Sequence, residues 1–144
     1  MSNNFNDFNT KFNTEKLMIA QTDYWRWSLR PAQCTLGAGI LSLRRPAEAM
    51  CELEAKEGAD LIEIIKIIEK ALKAAFTPQK MNYLMLMMVD PHIHYHVIPR
   101  YSQNVDFSNN QFKDSGWPRF PVLDAPSLSD EIMTAIKEHI ISCL

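Results

Sequence analysis

Between residues 56 and 75 the apolar side chains Leu61, Ile64, Ile65, Ile68, Ala71 and Leu72 recur at helical spacing, with Glu and Lys at the positions between them. This rhythm predicts an amphipathic helix with one face laid over a sheet, ended by Thr77-Pro78. Elsewhere the pattern is that of strands. Residues 17–19 and 24–29 are short runs of aliphatic and aromatic residues that read as a hairpin, broken by Arg30-Pro31. Gly37-Ala38-Gly39 leads into a further strand, Ile40-Leu41-Ser42-Leu43, closed by Arg44-Arg45-Pro46. Residues 81–89 form a long apolar run rich in Met, which passes through Asp90-Pro91 into residues 92–100. These two read as antiparallel neighbours with a tight connection. Residues 102–126 are polar and aromatic without a clear period, and Ser127 or Ser129 caps a last amphipathic helix that ends near Leu144.

At the other end, residues 1–13 are polar and rich in Asn, and are expected to be a flexible segment ahead of a single domain spanning residues 14–144. Phe5, Phe8 and Phe12, spaced three and four apart, offer the alternative of docking as a short amphipathic turn. The expected fold class is α+β: an antiparallel sheet of about five strands, backed by the long helix and joined by a C-terminal helix.

With 144 residues, 47% hydrophobic and 22% charged, the chain has the material for one core and one domain. A formal charge of -2 gives no electrostatic reason to expect nucleic acid or an anionic membrane as partner. An anionic ligand must then be held by local groups. Three widely spaced cysteines, odd in number and without a C-x-x-C pair, suggest neither a disulfide framework nor a cysteine zinc site. Reduced thiols, the lack of a signal-like start and the lack of an apolar run of about 18 to 20 residues point to a soluble, cytoplasmic protein.

The candidate chemistry is concentrated in one place. Three of the four histidines, His92, His94 and His96, fall within five residues. On a strand, alternate side chains share a face, so three imidazoles stand in a row roughly 6.8 Å apart while Ile93, Tyr95 and Val97 turn toward the core. Such a row suits either metal binding or proton and phosphoryl chemistry. Zinc needs ligands converging at about 2 Å, usually with one from another strand, and the remaining histidine, His139, lies in the C-terminal helix pattern. Phosphoryl chemistry needs only a neutral imidazole as nucleophile, with neighbouring donors to hold the phosphate oxygens.

His92-x-His94-x-His96 followed by Val97-Ile98-Pro99-Arg100 resembles the signature of the histidine triad family. Upstream, Leu36-Gly37-Ala38-Gly39-Ile40-Leu41-Ser42-Leu43-Arg44-Arg45-Pro46 is similar to that family's glycine-led strand and basic turn. The resemblance runs over residues 17–101. It implies hydrolysis or transfer at a nucleotide α-phosphate through a nucleotidyl-histidine, with His94 as nucleophile, His96 on the phosphate or leaving group and His92 setting its neighbours. It also implies a homodimer and a nucleotide substrate, with no cofactor and no metal required.

Asn82, on the strand before the signature, is a candidate for hydrogen bonding to phosphate, Arg100 for binding a distal phosphate, and Gly37 for the substrate-binding edge of the upstream strand. Arg44 and Arg45 are basic enough to hold phosphate, and Trp117-Pro118 could form a lid. The chain departs from the family at Ala38, where a fourth histidine often stands. It departs again at Val89-Asp90-Pro91, which replaces a glycine-rich loop, and at Leu29 and Arg30, near the usual ribose-binding Asp or Asn. Cleavage of dinucleoside polyphosphates is the favoured activity. A nucleoside phosphoramidate hydrolase, or a non-catalytic nucleotide- or metal-binding module, are the alternatives.

Overall fold

The computed structural model describes residues 2–144. Five strands form one sheet: β1 (Met18–Gln21), β2 (Trp25–Leu29), β3 (Gly39–Leu43), β4 (Lys80–Leu84) and β5 (His94–Arg100). Their spatial order is β1-β2-β3-β5-β4, and each neighbouring pair is antiparallel. Three helices accompany them: α1 (Ser2–Lys11), α2 (Ala55–Phe76) and α3 (Asp130–Ile141). This is the expected α+β arrangement of five antiparallel strands, long helix and C-terminal helix. Among the described residues no helix is long and apolar enough to cross a membrane.

Strand alternation divides the sheet into two faces. On one face Trp25, Trp27, Leu29, Leu41, Leu43 and Val97 are buried with Ile64, Ile68, Ala71 and Leu72 of α2 and with Met133, Ile136 and Ile140 of α3. The helical stripe read from the sequence is the stripe that packs. Glu57, in the first turn of α2, accepts from the Glu54 N–H at 2.9 Å and binds Arg45 through both carboxylate oxygens at 2.7 Å. At the other end Thr77 takes a left-handed conformation, φ 52°, and stops the helix before Pro78. Ser129 caps α3 by accepting from the Ile132 N–H at 3.2 Å.

Two glycines are fixed by geometry. Gly37 has φ +86°, and a Cβ there would stand 3.1 Å from Leu72 and 3.3 Å from Phe76. A Cβ on Gly39 would stand 2.7 Å from Trp27 Nε1, so the Trp27 indole can cross β3 only where a side chain is missing.

Three expectations are corrected. The segment expected to be flexible, residues 1–13, is helical from Ser2 to Lys11, because Phe8 and Phe12 share a face and are buried against Ile40 of β3; Met1 lies outside the described residues. The run 81–89 is not one long strand: β4 ends at Leu84 and residues 85–93 form a loop in place of a tight connection. Met87 there is left-handed, φ 45°, which an extended run cannot accommodate, and Leu86, Met88 and Val89 are exposed. Finally, the aperiodic stretch after Arg100 contains a small hairpin, β6 (Val105–Phe107) and β7 (Asn110–Phe112), turned by Ser108 and Asn109 with φ 51° and 60°.

Candidate active site

The other face of the sheet carries the histidines. Register places Ser28, Ile40 and His96 side by side across β2, β3 and β5, and Arg26, Ser42 and His94 in the next row. Residues paired in this way share a face. His92 precedes β5, which begins at His94, yet its ring continues the row: Phe8 lies 4.9 Å from the His92 ring and 4.8 Å from the His94 ring, and the His94 and His96 rings are 5.0 Å apart. Ile93 and Val97 enter the core on the opposite side, and Tyr95 packs against it.

Each imidazole has a distinct set of partners. His92 Nε2–H donates to the Leu43 carbonyl at 2.8 Å, tying the start of the signature to the end of β3, while its buried Nδ1 has no partner. His94 Nδ1–H donates to the His92 carbonyl at 2.6 Å. A ring with its proton on Nδ1 carries a lone pair on Nε2, and among the described residues Nε2 makes no hydrogen bond. His96 Nδ1 accepts from Arg30 Nε at 3.2 Å. Burial lowers the pKa of all three below the usual histidine range, His96 to about 4, where the neighbouring His94 and Arg30 add to the effect. The row is therefore neutral near pH 7.

Helix α1 lies over this row. Phe8 and Phe12 form a small apolar cluster with Ile40, and Phe5 meets His92 at 4.8 Å. His92, His94 and His96 are only 1%, 2% and 9% exposed. The helix is tethered by Lys11 Nζ, 2.8 Å from both carboxylate oxygens of Asp90 in the loop before the signature, and by Asn4 Nδ2, which donates to Glu48 at 3.2 Å. Beside it, a polar cavity of about 540 Å³ is lined by Asn6, Asn9, Asn13, Arg26 and Arg44, among others.

The residues proposed from sequence divide sharply. His92, His94 and His96 are brought together, whereas Arg100 and Asn82 bond to each other and Gly37 packs toward α2. Arg100 is buried and makes two bonds to Asp114, at 2.7 and 3.2 Å, donates to Asn82 Oδ1 at 2.7 Å and to the Arg119 carbonyl at 2.8 Å. The guanidinium is thus used to bind the segment after β5 to the sheet, and Asn82 is one of its acceptors. Gly37 faces α2, on the core side. Arg45 is bound to Glu57, and Arg44 donates to the carbonyls of Thr22 and Asp23. Among the described residues no group of three His, Cys, Asp or Glu side chains is arranged to hold a metal ion.

Residues that sequence reading passed over also belong to the site. Ser42 is directly opposite His94, and the alternation of β3 against the histidine strand was the signal for it. Arg30 was marked only as a departure near the family's ribose-binding Asp or Asn, and the phenylalanines of α1 were visible only as a three-four spacing.

The HIT domain family model matches residues 40–103. No curated protein sequence matches the chain. Among solved structures, a histidine triad (HIT) protein from Sinorhizobium meliloti is similar at 22% identity and TM-score 0.72, covering 92% of this chain and 93% of its own. A histidine triad protein from Marinobacter aquaeolei matches at 17% identity and TM-score 0.65, with 92% of each chain covered. Another, from Bradyrhizobium japonicum, matches at 20% and TM-score 0.63, covering 89% of this chain and 94% of its own. With the three imidazoles in one row and their signature inside the matched segment, the chain is similar to the HIT domain over residues 40–103 and has the fold of the histidine triad proteins.

Proposed function

We propose that this protein is a nucleotide hydrolase acting at the α-phosphate through a nucleotidyl intermediate on His94, with dinucleoside polyphosphates as the substrate class. One observation carries the reading: His94 Nδ1 is bonded to the His92 carbonyl, which leaves the Nε2 lone pair as the reactive end of a neutral ring. Attack forms an Nε2–P bond as the bond from Pα to the bridging oxygen breaks and its electron pair leaves on the departing phosphate, and the carbonyl dipole at Nδ1 stabilises the cation that develops on the ring. Water then adds to phosphorus, the P–N bond breaks, its electrons return to Nε2, and the water proton leaves to solvent. The chain's own donors supply the charge stabilisation, so no metal or cofactor is invoked. Because His94 is 2% exposed, substrate reaches it only after α1 moves aside. We place the protein in the cytoplasm, with free Cys34, Cys51 and Cys143. We also propose a homodimer through the edge strand β4 and the exposed Leu86, Met88 and Val89 that follow it.

The direct test is to mix the protein with diadenosine tetraphosphate, quench, and weigh the intact chain. The expected result is an acid-labile nucleotidyl adduct on the wild-type protein, absent from His94→Asn. Absence of an adduct with every adenylyl and guanylyl donor tried would overturn the reading.

A further inference from the structure

Arg30 stands just past the end of β2, two residues beyond Ser28, and its side chain reaches the histidine face of the sheet. Its backbone is pinned on both sides. The Arg30 N–H donates to the Ala38 carbonyl at 2.8 Å, and its own carbonyl accepts from Gln33 Nε2 at 2.7 Å. Its side chain is held as firmly: Nη1 donates to the carbonyls of Ala32 at 2.9 Å and Leu123 at 2.8 Å, and Nε donates to His96 Nδ1 at 3.2 Å.

A guanidinium in a protein is always a donor. Where it meets a ring nitrogen, that nitrogen must be the acceptor. His96 Nδ1 is therefore unprotonated, and the proton of the neutral ring sits on Nε2. Becoming an imidazolium would require a second proton on Nδ1, directed at Arg30, and so the loss of this bond. Burial, His94 and Arg30 oppose that proton, Lys11 adds to their effect more weakly, and Asp90 favours it. A neutral imidazole N–H is a good hydrogen-bond donor but a very weak acid. His96 can hold a phosphate oxygen; it cannot hand over a proton near pH 7.

We infer that Arg30 is a positioning residue that fixes His96 as a hydrogen-bond donor and not a proton donor, so that the site favours leaving groups that depart as stable anions. The inference rests on the α-phosphate reading above and narrows its substrate class. In a phosphoanhydride the bond from Pα to the bridging oxygen breaks as the Nε2–P bond forms, and the electron pair leaves on a phosphate, which needs no proton. In a phosphoramidate the pair would leave on nitrogen, which departs only with a proton supplied as the bond breaks. This triad supplies none. The leaving group selected is a nucleotide or polyphosphate, and an amine is disfavoured.

The test compares wild type, Arg30→Met and Arg30→Lys in two ways. Ring-nitrogen NMR of the uniformly labelled protein reports the His96 tautomer. Wild type is expected to show an unprotonated Nδ1 with a protonated Nε2 and no titration between pH 5 and 8. In Arg30→Met the His96 ring is expected to titrate at higher pH than in wild type, because one of the groups opposing the second proton is gone, with Arg30→Lys closer to wild type; an unshifted titration overturns the positioning role. Kinetics then gives kcat/KM for diadenosine tetraphosphate and for adenosine phosphoramidate. Wild type is expected to prefer the former, and the preference to fall further in Arg30→Met than in wild type as pH is lowered and the His96 imidazolium becomes populated. A wild-type His96 with its proton on Nδ1 overturns the inference. A preference unchanged in an Arg30→Met protein that titrates as expected, or a wild-type preference for the phosphoramidate, overturns the selectivity. If wild type turns over neither compound, the hydrolase reading falls and takes the selectivity with it, while the spectrum still decides whether Arg30 sets the tautomer.

Discussion

The Phe8 ring of α1 lies 4.8 Å from the ring of His94, so the imidazole whose Nδ1 is bonded to the backbone of its own motif is covered by an aromatic side chain of the N-terminal helix. The cover is apolar, whereas a phosphate site must be wet and polar. If the triad acts on a phosphate as proposed, α1 must have two states, one seated and one displaced, and the balance between them would set how much of the triad is available.

Truncating the plug should shift that balance. Burying a phenylalanine side chain is worth about 2 kcal/mol, which is close to a thirtyfold change in an equilibrium. In Phe8→Ala the rate of His94 modification by diethyl pyrocarbonate, followed by peptide mapping, is expected to rise between about ten- and thirtyfold. Lys11→Ala removes a partly exposed ion pair worth about 0.5 kcal/mol and should raise it only about twofold, an effect that vanishes in high salt. A rate that does not change in Phe8→Ala would show that α1 does not control access.

Acid should loosen the same region. All three triad histidines have folded pKa values below that of the unfolded chain, near 6.5, chiefly through burial. Below pH 6.5 the unfolded state therefore binds more protons than the native state, and stability falls as pH drops toward the folded values, about 4 for His96. Urea unfolding between pH 7.5 and 4.5 is expected to show a declining midpoint, and the decline should be shallower in His96→Gln. An identical slope in that variant would mean that other groups carry it.

Arg100 should behave as a structural residue. It and Asp114 are both buried, with the ion pair at 2.7 Å. Asp114→Ala strands the guanidinium and is expected to cost about 3 to 5 kcal/mol, read from chemical denaturation. Arg100→Met with Asp114→Leu should recover part of that loss. If Arg100→Met instead left stability untouched and raised KM alone, the residue would be binding substrate after all.

The exposed loop after β4 gives a test of assembly. Leu86, Met88 and Val89 are 60%, 83% and 86% exposed. Replacing Leu86 and Met88 together by Asp should convert a dimer to a monomer by light scattering, with the circular dichroism of the fold retained. A wild-type monomer at micromolar concentration would remove the dimer from the proposal.

The elements that could be read from the chain were those in which one periodicity runs long enough to be unambiguous. The 3.6-residue stripe of α2 gave both its limits and its buried face, and the alternation from His94 to Val97 gave the division of the sheet into a core side and a chemical side. What could not be read was where a polar side chain would find its partner. Arg100 and Asn82 look like ligands for phosphate as a sequence, because Asp114 lies fourteen residues downstream in a stretch with no period of its own. Gly37 looks like a binding-loop glycine until Leu72 and Phe76 are brought against it. The phenylalanines of α1 had the right spacing, but only the sheet face under them decides whether such a short segment is held. Arg30 was noticed as an absence, in the neighbourhood where the family's ribose-binding Asp or Asn usually stands, and its meaning comes from its bond to His96 on β5.

The acceptor that orients His94 is a main-chain carbonyl, that of His92, two residues earlier on the same segment. In a triad built from side chains, one substitution deletes the orienting group; here none can, since every amino acid brings the same carbonyl. A nucleophile at His94, as proposed, would be insulated from drift elsewhere in the site. Residues that hold the base, ribose or leaving group can be exchanged one at a time while the attacking nitrogen keeps its direction. A scaffold with that property can change its diet without losing its bite.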